Sequence, residues 1–173
     1  MKWIPLFAVL LIFNASISAQ DINPEIFRKN VDVLYTAADA GFKSIKGEET
    51  GTTEDGDKKY HSTRKVSGAM DVYIKVDGED THTYIAVFES KDMKSAQAKM
   101  EQMAQIIFEE IEEKGFARDS GTDMSYEGYR KATIEFASDN IDDLGHHPSF
   151  SIGILRGSNP PVVELEINEP LWK

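Results

Sequence analysis

Residues 141–150 read IDDLGHHPSF and place two carboxylates and two histidines within six residues. Imidazole nitrogen and carboxylate oxygen are ligands for zinc and similar ions. Asp142, Asp143, His146 and His147 would supply four such groups. Their spacing is wrong for the task. Adjacent histidines on an extended chain point to opposite sides, and neither HxH nor HExxH occurs. Asp, Asn, Gly and Pro are instead what a tight connection between strands requires. The stretch SDNIDDLGHHP is therefore expected to be a loop. A small metal-dependent hydrolase centred on residues 139–148 is the competing reading.

The other two histidines, His61 and His82, fall in strand-like stretches beside Ser, Thr or Tyr. Catalytic triads are spatial, so their order along the chain does not reveal one. The chain has no GxSxG, no phosphate-binding glycine loop and no dinucleotide fingerprint. It has no cysteine, which excludes thiol catalysis, zinc–thiolate sites and disulfides. These observations imply a non-enzymatic protein without a cofactor.

The elements that would position any site follow from periodicity. Asn23 is a favourable N-cap, Pro24 suits the first helical position, and Glu25 complements the helix dipole. Ile22 and Phe27 occupy the positions of a hydrophobic staple. Phe27, Val31, Leu34, Ala38 and Phe42 then recur at steps of three and four, which predicts a helix ending near Gly41. A second stripe, Met93, Ala96, Met100, Met103, Ile107 and Ile111, predicts a helix from about Asp92 to Lys114, with Gly115 as its C-terminal cap. EEIEEK at 109–114 reads as a solvated outer face, with Ile111 alone turned inward.

Between the helices, residues 47–58 are polar and glycine-rich and read as a loop. A strand is expected over Lys59–Lys65. AMDVYIKV alternates, with Met70, Val72, Ile74 and Val76 on one side. A turn at Asp77-Gly78 returns the chain as THTYIAVFE. After the second helix come GYRKATIEFA, SFSIGIL and PVVELEIN, the last two joined by RGSNPP. The expected fold class is α+β, an antiparallel sheet of about six strands with both helices on one face. AGF at 40–42 and KGF at 114–116 echo one another, which suggests an α-βββ-α-βββ duplication with pseudo-repeats 22–90 and 91–169.

The face left by the helices would carry Asp71, Tyr73 and Lys75, then Tyr129, Lys131, Thr133 and Glu135, then Glu164 and Glu166. Tyrosines set among charges suit recognition of a partner. The residues expected to carry it are Tyr73, Lys75, Tyr129, Lys131 and Glu135.

The chain begins MKWIPLFAVLLIFNASISAQ: a lysine, a short apolar run, then small residues. That is the layout of a cleaved export signal over residues 1–19, leaving one α+β domain over 20–173 in the periplasm or outside the cell. The apolar run is shorter than the ~20 residues of a membrane span. The 173 residues carry 19 Lys and Arg against 30 Asp and Glu, a formal charge of −11. Such a chain repels nucleic acid and anionic lipid and favours neutral or cationic partners, whether protein or small ligand. Three function classes stay open: an exported binding module using the open, solvent-facing side of the sheet that the helices leave bare, the hydrolase, and an envelope-associated structural module with no discrete site.

Overall fold

A computed structural model describes residues 21–119, 130–143 and 145–172. The export signal read at residues 1–19 and Tyr129 lie outside these. Two helices, α1 (Pro24–Asp39) and α2 (Met93–Ile111), each precede a four-stranded antiparallel meander. The first comprises β1 (Lys46–Thr52), β2 (Lys58–Ser62), β3 (Asp71–Val76) and β4 (His82–Glu89). The second comprises β5 (Phe116–Asp119), β6 (Arg130–Ser138), β7 (Ser149–Leu155) and β8 (Val162–Asn168). They join as one 8-stranded sheet in the order β1-β2-β3-β4-β8-β7-β6-β5. Every neighbouring pair is antiparallel, including β4 with β8 at the centre.

The α+β class, the antiparallel sheet and the two helices agree with the sequence reading; the strand number does not. Two strands were not anticipated. β1 lies where the polar 47–58 loop was expected. It is an edge strand, and its residues from Glu48 to Thr52 are all exposed, so no face produces an alternating signal. β5 is the other edge strand and has only four residues. Met70 is also corrected: it precedes β3 and is 59% exposed.

The helices form where capping and periodicity place them. Ile26 N–H donates to the Asn23 side chain at 3.1 Å, and Ser95 N–H donates to Asp92 at 2.7 Å, one cap at the start of each helix. Phe27, Val31, Leu34, Ala38 and Phe42 are buried, as are Ala96, Met100, Met103, Ile107 and Ile111. Both stripes rest on one sheet face, against Val72, Ile74 and Val76 of β3, Tyr84, Ala86 and Phe88 of β4, Phe150, Ile152 and Ile154 of β7, and Val163, Leu165 and Ile167 of β8. Aromatic rings stitch helix to sheet: Phe27 meets Phe88, and Tyr35 stacks near Phe150. Arg28 of α1 pairs with Glu109 and Glu110 of α2, and Lys114 with Asp32, so the glutamate-rich end of α2 partly serves the helix–helix seam.

Candidate functional site

The strand register arranges the helix-free face in rows. One row reads His61, Tyr73, Ile85, Glu166, Ser151 and Glu135. The next reads Asp71, Val87, Glu164, Gly153 and Thr133. Tyr73 and Lys75 are half-buried on this face, and Glu135 is exposed. The expected residues Tyr73, Lys75 and Glu135 therefore share it. Tyr129 and the side chain of Lys131 lie outside the described residues.

Tyr73 is held in place. Lys59 Nζ sits 4.0 Å from its ring centroid and 3.2 Å from Asp71 Oδ2. Burial, then Glu164, Asp71 and Glu166, push the Tyr73 phenol up to about 12. Ser151 Oγ donates to Glu166 at 3.3 Å, and Lys75 reaches Asp57 at 4.0 Å. The expectation of a face open to solvent is corrected at its middle: Ile85, between Tyr73 and Glu166, is only 2% exposed, and Thr83, Glu164 and Ser151 are buried as well. Sequence alternation placed these side chains on a face; it did not indicate how firmly they are packed there.

The histidine loop connects β6 to β7. Its two histidines go to different partners. His146 meets Trp172 edge-on, with ring centroids 5.4 Å apart. His147 packs against Phe116, and its Nδ1 lies 3.5 Å from the Tyr35 hydroxyl. Asp143 accepts from Asn140 Nδ2 at 2.7 Å, and Asp142 N–H donates to Asn140 Oδ1 at 3.1 Å, so the aspartates belong to a hydrogen-bonded turn. Among the described residues, no group of three or more His, Cys, Asp or Glu side chains is placed to hold a metal ion.

One buried cluster was missed by the sequence reading. Glu169 Oε1 accepts from His82 N–H at 2.8 Å and lies 3.0 Å from His82 Nδ1; Lys46 Nζ lies 2.7 Å from Nε2. With Lys46 donating to Nε2, the imidazole proton sits on Nδ1 and is donated to Glu169. A carboxylate–imidazole pair is half of a general-base relay, but the position beyond Nε2 holds an amine rather than a hydroxyl nucleophile. The group instead joins the first residue of β1 to the first residue of β4 and the residue that follows β8. The signal for it was present: His82 continues the inward register of Tyr84, Ala86 and Phe88, and Glu169 that of Val163, Leu165 and Ile167. Two polar residues at inward positions at the same end of the sheet need partners.

Close by, the segment after β8 folds back over the histidine loop. Trp172 N–H donates to Gly145 O at 2.9 Å. The fold creates a cleft of about 430 Å³ bounded by Ala137, Pro148, Ser149, Asn168, Leu171 and Trp172. No family model matches the chain, and comparisons with curated proteins and with solved structures find no match.

Proposed function

We propose that this chain is an exported, non-enzymatic binding protein that meets a partner with the helix-free face of its sheet. The observation that carries this reading is the fixed position of Tyr73: an aromatic side chain clamped by Lys59 and bordered by carboxylates on the central strands. A tyrosine ordered before binding loses little entropy when it makes contact. The surrounding carboxylates and the acidity of the whole chain favour a neutral or cationic partner. Export rests on the charged, apolar and small-residue order of residues 1–19.

Comparative capture tests the reading. Wild-type protein and a Tyr73→Ala, Lys75→Ala variant, both used as bait in envelope extract, should differ. The variant loses at least about tenfold of the retained partner, as for a central aromatic anchor, while circular dichroism and a cooperative thermal transition show that it is still folded. Equal capture by a folded variant would place the interaction elsewhere.

The finer reading of the architecture, a duplicated unit, also belongs here. Both halves run helix then four strands, and the sheet order maps onto itself when the halves are exchanged. Gly41 and Gly115 both follow a helix with positive φ, 64° and 80°, and each is followed by a buried phenylalanine. These shared details, beyond the order of elements, support two copies of one unit.

A further inference from the structure

Trp172 is 57% exposed, yet its indole is fixed in place. Its backbone is tied to Gly145 O, and His146 buttresses the ring edge. The indole rests on Gly145, where a Cβ would come within 3.1 Å of the ring. Gly145 also has φ +91°, a conformation that side chains rarely adopt. Only glycine satisfies both conditions. The protein thus spends a constrained backbone position on presenting an indole that remains largely uncovered.

The cleft beside this ring, about 430 Å³, falls in the ~300–1,000 Å³ range of small-molecule sites. Leu171, 70% exposed, and Pro148 and Ala137 supply hydrocarbon walls, and Ser149 and Asn168 supply hydrogen-bonding groups. Among the described residues that line it there is no Lys or Arg, while the Glu169 carboxylate, 5% exposed, faces His82 rather than the cleft. An indole face attracts cations, and a chain of net charge −11 repels anions. We infer that this cleft is a binding site for a small organic cation carried on an apolar ring, with Trp172 as its platform. The inference does not depend on the sheet-face reading, because the site lies at the end of the sheet.

The test uses benzyltrimethylammonium as probe, with benzyl alcohol as neutral and benzoate as anionic comparison. Binding is followed by calorimetry and by the indole N–H resonance of Trp172, assigned from its loss in Trp172→Phe. The expected result is a saturable shift of that resonance, with affinity in the order cation, alcohol, benzoate. Trp172→Ala, a surface change, should weaken the cation by about tenfold or more. Gly145→Ala should weaken it as well by displacing the ring, with circular dichroism confirming that the variant is folded. No saturable shift, or full affinity in Trp172→Ala, overturns the site. Equal affinity for the alcohol or tighter binding of benzoate overturns the charge class.

Discussion

The two faces of the sheet are built from alternate residues of the same strands, yet they reach order by different means. On the covered face, β3, β4, β7 and β8 present aliphatic and aromatic side chains to two amphipathic helices, and position follows from packing. On the helix-free face, a tyrosine is held by a lysine above its ring and carboxylates beside it. The first arrangement depends on excluded water and shape, and the second adds charge to partial burial. The covered face should therefore respond to changes of volume, and the helix-free face to changes of charge and pH.

The largest effect should come from the covered face. Ile107 has no exposed surface, and Ile107→Ala is expected to cost ~2–5 kcal/mol in denaturant unfolding. A change below about 0.5 kcal/mol would mean that the α2 stripe is not core. Next comes the polar seam at the end of that face. Glu169→Ala leaves the His82 N–H and Nδ1–H without their acceptor and should cost ~1–3 kcal/mol. An unchanged midpoint would show that water replaces the carboxylate.

The smallest effect concerns the helix-free face and appears only in alkali. The folded state raises the Tyr73 phenol to about 12 from its ordinary value of about 10. Folding therefore favours the protonated form. The resulting stability is complete below about pH 10 and is lost as pH rises through about 12. Tyr73→Phe should remove a late step from the ultraviolet phenolate titration and soften the alkaline loss of stability. A wild-type titration in which every tyrosine ionises near 10 would show that Tyr73 is not held as described.

Both helices were legible because each buries a stripe at regular steps and starts at a capping residue. β3, β4, β7 and β8 were legible because one side of each is core. β1 was not, since a strand at the sheet edge with both sides in solvent has no reason to alternate. The face of Tyr73 followed from period two alone, but its ordering depends on Lys59, a residue of the neighbouring strand. The Lys46–His82–Glu169 cluster escaped because its members come from three separated segments, although the register of two of them marked the place. Trp172 escaped for a different reason. It follows the last strand, belongs to no periodic element, and gains its position only from contact with the histidine loop. The sequence marks that loop only as a turn, whereas its glycine and His146 act as the seat for an indole.

The central pairing of β4 with β8 has a consequence for assembly. The two strands are joined across the chain, as in the Thr83–Asn168 hydrogen bond between residues 85 apart. Each meander can form from near neighbours, but β4 finds its second partner only after β8 has been made. Until then β4, with Ile85 on one side and Tyr84, Ala86 and Phe88 on the other, is a sticky open border rather than an interior strand. The half-made molecule is thus the form most prone to clumping, and a holding factor that shields His82–Glu89 during synthesis or export would protect the chain at its weakest moment.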